Sequence, residues 1–581
     1  MAAEKDSITY SQFACIGTGF SGIGLGATLK RWYNITDVVL FERESKLGGT
    51  WHINQYPVSI LPFSCATGCA CDVPSPLYSF SFAPNGDWKQ LFNVQADIFH
   101  YLTNISEKYG LLSKMRFNST VERCEWNEAR ARWRMDIRDN TTGTVFYHEC
   151  KFLFSGVGQL IQPRIPDFPG AETFKGDMFH AARWNHDVSL KDKNVIVVGN
   201  GCTADQIVPA IVKETKTLTQ IVRSKHWIVK PPVMPNFRLM SFLFKRIPGL
   251  LNLMRLAIWL ALENSWRAFY LTKYAASLRK AKEATTRDYM KKLAPAKYHD
   301  MLIPDFPIGC KRRIFNPGYL ESLNEDNLTL MDSKILEIVP EGVRTKEGVI
   351  EADVIALATG YTTNSFLPRI EVVGRNGETA EEHWKKTNGA AAYNAILMSG
   401  FPNFFMILGP NTVTGHTSTV FAIENAINYS LRIIKPVLDG EAVSIDCLQD
   451  AEDRWDQRIQ DGLKNTVWAD GICNNWYSRD AEGKQARNSS TYPFAQSDYW
   501  YRCFFPIYED LKYTPALDRR TKRLGRYIKM AAFALALFAS VKAVRTIREE
   551  GLKNIVQGYA MQAFVKYHML RMRIQEFIGA K

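Results

Sequence analysis

The sequence predicts an α/β chain built on two separate strand–turn–helix units, with a helical insertion inside the second and a basic helical tail behind both. Three observations carry this. A glycine-rich turn, Gly17-Thr18-Gly19-Phe20-Ser21-Gly22, follows the apolar run Phe13–Ile16 and precedes a helical pattern. A second, Gly199-Asn200-Gly201-Cys202-Thr203-Ala204, follows Val195–Val198. Between them stands Phe174-Lys175-Gly176-Asp177-Met178-Phe179-His180-Ala181-Ala182-Arg183-Trp184.

Both turns have the same physical use. Glycine lets the backbone approach a pyrophosphate closely, and the N–H groups at the positive end of the next helix stabilise its charge. At the first turn, Gly17, Gly19 and Gly22 are the candidate residues. The strand Val38-Val39-Leu40-Phe41 ends in Glu42, about twenty residues beyond, where a carboxylate can accept hydrogen bonds from a ribose 2′-hydroxyl. At the second turn the candidates are Gly199, Gly201, Cys202, Thr203, Ala204 and Asp205, with Ala204 in place of the third glycine. The strand Leu218–Val222 ends in Arg223-Ser224-Lys225 rather than an acid. Cations and a hydroxyl there suit a 2′-phosphate, so NADPH is favoured over NADH. Two Rossmann-like dinucleotide-binding domains in one chain suggest two redox cofactors and electron transfer between them.

At 581 residues the chain accommodates two or three domains. Residues 1–160 and 361–510 read as the first dinucleotide-binding domain, 161–236 and 301–360 as the second, 237–300 as the helical insertion, and 511–581 as the tail. Pro163–Pro169 is a proline-punctuated linker. Eleven cysteines without a paired CxxC fit a reducing compartment and no metal site. Glu4, Lys5 and Asp6 break any signal-peptide pattern, and an intracellular location, cytoplasmic or membrane-associated, is expected.

The net charge of +13 is unevenly placed. Residues 223–313 hold 19 Lys/Arg against 5 Asp/Glu, and 512–581 hold 15 against 4, so the rest of the chain is net acidic. Both basic segments read as helical with one apolar face, which suits a membrane surface or an acidic partner. No nucleic-acid-binding motif accompanies them. In the tail, the uncharged run Met530–Val541 has twelve residues between Lys529 and Lys542. A spanning helix needs about twenty, so a docked or surface helix is the first reading and an anchor the second.

These residues jointly resemble a known family. FxGxxxHxxxW, spanning Phe174, Gly176, His180 and Trp184, looks like the fingerprint of Baeyer–Villiger monooxygenases; the residue after Trp184, here Asn185, is usually Pro or Asp. Gly48-Gly49-Thr50-Trp51, Cys71-Asp72-Val73-Pro74-Ser75 with Tyr78, Ala358-Thr359-Gly360 and Gly409-Pro410-Asn411 are similar to its flavin-domain signatures. Gly309-Cys310-Lys311-Arg312 resembles the loop carrying its catalytic arginine. The likeness runs from about residue 12 to 510 and has the flavour of fungal secondary-metabolism enzymes.

The resemblance implies that FAD is reduced by NADPH, that dioxygen adds at flavin C4a, and that the resulting peroxide attacks a small-molecule ketone to give an ester or lactone. It implies a catalytic Arg312 oriented by Asp72, with Lys311 reaching NADP. Glu42, Thr50, Trp51, Asp72, Tyr78 and Val121 are assigned to the cofactor. Gly176, His180 and Trp184 are assigned to coupling of the two nucleotide domains, and His416 is a weaker candidate for substrate contact. An N- or S-oxidising or hydroxylating flavin monooxygenase is the alternative enzyme, and a membrane-associated inactive flavoprotein the alternative outside enzymology.

One departure touches the flavin signature. Relatives pass from Tyr-Pro-Gly almost directly to Cys-Asp, whereas ten residues, Val58–Thr67, follow Tyr56-Pro57 here. Removing them restores Tyr-Pro-Gly-Cys-Ala-Cys-Asp. The segment is expected to be an untrimmed short intron or a loop insertion beside the flavin, and either bears on where Asp72 lies.

Overall fold

The computed structural model describes residues 8–516 except 58, 61–65, 68, 233–236, 470, 473, 479–483 and 485. Of the tail it describes 531, 535, 539–540, 542, 556–567 and 569. The chain divides into two compact units, one of Met1–Val437 with Ser444–Tyr513, the other of Leu438–Val443 with Thr514–Lys581.

The apolar run before the first glycine turn forms the strand Thr9–Ile16, and the helix Phe20–Tyr33 follows the turn. Thr9–Ile16 lies parallel to Val38–Phe41 on one side and to Val145–Ser155 on the other. From there the eight-stranded sheet continues antiparallel through Arg132–Asp139 and Ser119–Asn127 and ends at Glu371–Val373. Phe404–Met406 also pairs with Val145–Ser155, so strands late in the chain complete a sheet begun by its start. Trp133, Met135, Cys150, Leu153 and Phe404 are fully buried in its core, about 270 residues of sequence apart at the extremes.

The second sheet has five strands in the order Leu328–Met331, Thr217–Ile221, Asn194–Val198, Val354–Leu357, Asp177–His180, all parallel. Its central strand, Asn194–Val198, is the apolar run ahead of the second glycine turn. The helix Cys202–Ile211 follows that turn. Parallel strands buried on both faces explain why these runs are continuously apolar rather than alternating.

Three helices fill the insertion: Phe237–Arg246, Leu250–Asn264 and Lys273–Leu293. Thr272 caps the last, its hydroxyl accepting from the Ala275 N–H at 3.2 Å. Of Val58–Thr67, Ser59–Ile60 pairs antiparallel with Ala66–Thr67, so the segment leaves and returns at neighbouring points. Eight described cysteines are free, while Cys310 is disulfide-bonded, a departure from the fully reduced set expected. Among the described residues no helix is long and apolar enough to cross a membrane. Most of Met530–Val541 lies outside the described residues.

Candidate active site

The two glycine turns open onto one cavity of about 610 Å³. Gly17, Gly19, Gly201, Cys202 and Thr203 line it, as do Thr50, Trp51, Tyr78 and Val121. Steric demands set the turns. Gly17 has φ +104°, and a Cβ on Gly22 would lie 2.1 Å from the Gly17 carbonyl oxygen. These two glycines let the helix Phe20–Tyr33 sit against the strand end. Gly201 is different: a Cβ there would meet nothing within 4 Å and would project into open space at the helix N-terminus. That gap lies at a helix N-terminus, where the first N–H groups have no intrahelical partner, and suits a phosphate.

Glu42 is buried, and its Oε2 accepts from the Thr18 N–H at 2.9 Å and the Thr18 hydroxyl at 2.8 Å. Its Oε1 accepts from the Glu44 N–H at 3.0 Å and keeps capacity for a ribose hydroxyl. The residues present therefore fit an adenine dinucleotide at the first turn. Tyr78 is fixed beside them, its hydroxyl accepting from the Trp51 indole N–H at 3.1 Å. At the second turn, the Asn200 amide donates to the Ser224 carbonyl, tying the turn to the Arg223-Ser224 strand end. Arg223 is exposed there. The Lys311 Nζ lies 3.4 Å from the Lys225 carbonyl oxygen, so the arginine loop reaches the same corner.

Not every residue expected at the cofactor faces it. Ala204 and Asp205 lie on the inner side of their helix; Asp205 is 1% exposed, and neither of its oxygens meets a hydrogen-bond partner among the described residues. Burial raises its pKa well above the usual carboxylate range. The cause is helical phase: Cys202, Thr203 and Gln206 lie on the side of the helix that faces the cavity, and Ala204 and Asp205 on the side that faces the core. Gln206 does line it and had no sequence signal. Its Oε1 accepts from the Tyr56 hydroxyl at 2.7 Å and from the Ala70 N–H at 3.3 Å, bridging partners 136 and more residues away.

Arg312 and Asp72 form a two-pronged pair. Arg312 Nε donates to Asp72 Oδ2 and an Arg312 terminal nitrogen to Oδ1, both at 2.7 Å. Both residues line the cavity, so the hairpin ahead of Asp72 does not carry it away. Burial pushes the Asp72 carboxyl up, but the Arg312 charge outweighs it and holds the pKa below the usual range. The Asp72 charge raises Arg312 further, so the guanidinium stays charged at any working pH. A fixed cation with a spare N–H face at a cavity wall can stabilise negative charge without yielding a proton.

The His180 motif starts on the edge strand of the second sheet, and its Arg183 reaches toward the first. His180 ends the strand Asp177–His180, and its Nδ1 accepts from the Ala182 N–H at 3.0 Å. The proton is therefore on Nε2, 3.1 Å from the Gly360 carbonyl oxygen. Burial lowers its pKa to about 4, so the ring is neutral and acts as a link rather than a proton carrier. Trp184 packs edge-on against Phe179, with ring centroids 5.0 Å apart. Gly176 admits the Asp353 carbonyl oxygen, 2.2 Å from where a Cβ would stand. Between them Arg183 reaches across to Glu44 at 2.6 Å, two residues beyond Glu42.

His416 is buried and does not face the cavity. Its Nε2 pairs with Glu263 at 3.0 Å, and its ring lies 5.3 Å from that of Trp266, both from the helical insertion. The neighbouring Thr417 and Thr419 line the cavity instead.

A family model described as flavin-binding monooxygenase-like matches residues 11–284. A Baeyer–Villiger monooxygenase of Streptomyces coelicolor is 34% identical over 502 residues, 86% of this chain and 92% of that protein. The FAD-binding monooxygenase ktnD of Aspergillus niger is 32% identical over 483 residues, 81% of this chain and 77% of that protein. Among solved structures, cyclohexanone monooxygenase from Rhodococcus sp. Phi1 bound to NADP+ superposes with a TM-score of 0.74 at 25% identity, covering 88% of this chain and 100% of that one. With identity of this extent across most of both chains, the protein belongs to the Baeyer–Villiger monooxygenases of the flavin-binding monooxygenase family.

Proposed function

We propose that the enzyme inserts one oxygen atom of dioxygen into a ketone to give an ester or lactone, using FAD in the first glycine cradle and NADPH in the second. The observation that carries this is the Arg312–Asp72 fork at the wall of a cavity lined by both cradles. Bound flavin supplies hydride acceptance from the nicotinamide and activation of dioxygen.

The protein's own residues do the rest. Arg312 is charged and cannot donate its proton, so negative charge on the transferred oxygen and on the ketone oxygen is stabilised while the oxygen stays nucleophilic. Asp72 aims the guanidinium and leaves its outer N–H groups free for that work. Trp51 and Tyr78 form a dry aromatic wall. Arg223, Ser224 and Lys311 hold the coenzyme's 2′-phosphate. Arg183–Glu44 transmits movement between the two sheets when the coenzyme shifts, and His180–Gly360 holds the strand ahead of Arg183 to its neighbour in the second sheet.

An N- or S-oxidising enzyme needs the opposite feature, a site that protonates its oxidant. The FAD-loaded protein, given NADPH and oxygen, is therefore offered a ketone panel beside thioethers and amines. Esters or lactones from ketones support the reading. Sulfoxides or N-oxides with every ketone recovered unchanged would replace it.

A further inference from the structure

The helix Leu250–Asn264 exposes a continuous apolar stripe. Leu253, Leu256 and Leu260 are 63%, 51% and 53% exposed, and Ala257 and Ala261 fill the spaces between them. This i, i+3, i+4, i+7, i+8 spacing marks one helix face, and no charge interrupts it. Leu239 and Phe242 on the preceding helix, with Ile247 after it, are exposed as well. Contiguous apolar surface of this kind marks an interaction site more often than a solvated face.

The helix is held on its opposite face by Arg255 and at its C-terminal end by Glu263. The Arg255 guanidinium donates to the Ser79 hydroxyl at 2.7 Å and to the Pro76 carbonyl. Glu263 accepts from His416 at 3.0 Å and from the Ser497 N–H at 2.8 Å. The stripe is therefore the outward side of an anchored helix.

Charge selects the occupant. Residues 237–280 contain eight Lys/Arg and one acid, Glu263. Arg246 and Arg267, on the segments just before and after the helix, and Lys273 and Lys280, on the next helix, are exposed. A second copy would bring the same cations against these, and the tail from residue 512 is itself strongly basic. Like charges disfavour both partners. Anionic lipid headgroups complement the rim, while the leucines enter the acyl boundary. With fifteen residues the helix is too short to span a bilayer. The helix Gln496–Phe504, which begins against Glu263 through Ser497, exposes Trp500, Tyr501 and Phe504, residue types that favour the lipid–water interface.

We infer that the stripe Leu253–Ala261 docks the enzyme in the plane of an anionic lipid surface. The test uses the full-length FAD-loaded protein and its L253S/L256S/L260S variant. Each is sedimented with vesicles of phosphatidylcholine alone or mixed with phosphatidylserine. The wild type should bind the mixed vesicles, more weakly in high salt, and the variant should lose on the order of tenfold or more in partitioning with its flavin absorbance unchanged. Equal sedimentation of variant and wild type overturns the inference, as does a wild type that ignores anionic vesicles. A wild-type dimer that the substitutions make monomeric, with neither protein binding vesicles, assigns the stripe to contact between copies and overturns it too.

Discussion

Removing Arg312 separates what the arginine does for the fold from what it does for the reaction. In Arg312→Ala, Asp72 loses both 2.7 Å hydrogen bonds and stays in a site where its side chain is 26% exposed. Stranding a buried carboxylate costs about 3–5 kcal/mol, and this partial exposure brings the expected loss nearer 2 kcal/mol. Asp72 recovers part of that by protonation. The catalytic loss is separate: removing one preorganised charge from a developing oxyanion costs roughly a hundredfold to a thousandfold in rate. The double variant Arg312→Ala/Asp72→Ala should regain most of the stability and none of the ester-forming rate. The assay follows thermal unfolding, bound FAD, NADPH oxidation and ester yield on the same preparations. NADPH oxidation should persist while ester falls. Full ester formation by a flavin-loaded Arg312→Ala protein would refute the reasoning.

Three further outcomes follow from the geometry. Gly201→Val should fold and keep FAD yet lose NADPH affinity, because its side chain enters the open phosphate gap, whereas Gly22→Ala should fail to fold; equal NADPH affinity in Gly201→Val removes that site. Arg223→Ala should raise the NADPH Michaelis constant by about tenfold to a hundredfold through a lost charge-assisted contact of roughly 1.5–3 kcal/mol, leaving NADH use unchanged; an equal loss with both coenzymes points to folding instead. Buried His180 has its pKa lowered to about 4 while the unfolded chain takes up the proton near 6.5. Its contribution is whole above pH 6.5 and is lost as pH falls toward 4, by up to about 3 kcal/mol, so a stability-against-pH slope as steep in His180→Gln as in the wild type contradicts the buried neutral ring.

The sequence made the two cradles legible because glycine is demanded by the fold itself, as the 2.1 Å approach at Gly22 shows. Glu42, Asp72 and Arg312 were legible only through their motif neighbours; a Lys311-Arg312-Arg313 run alone reads as solvated charge. The contacts that unite the site escaped. Gln206 pairs with a backbone 136 residues away, and Arg183 with Glu44 at 139, separations that no local pattern encodes. The partner of His416, Glu263, comes from the insertion, another pairing that no local pattern encodes. Arg255, the one charge inside Leu250–Leu262, turns inward to Ser79 and Pro76, acceptors that its apolar neighbours do not encode.

The most direct measurement of the central claim is the fate of labelled oxygen. FAD-loaded enzyme is given NADPH, ¹⁸O₂ and a ketone, and the product is weighed by mass spectrometry against NADPH consumed. The account predicts an ester or lactone carrying one ¹⁸O in its newly formed C–O–C linkage, with NADPH and product in equal amounts at full coupling. Label found only in hydrogen peroxide or in a hydroxyl group, with the ketone carbonyl intact, would contradict it.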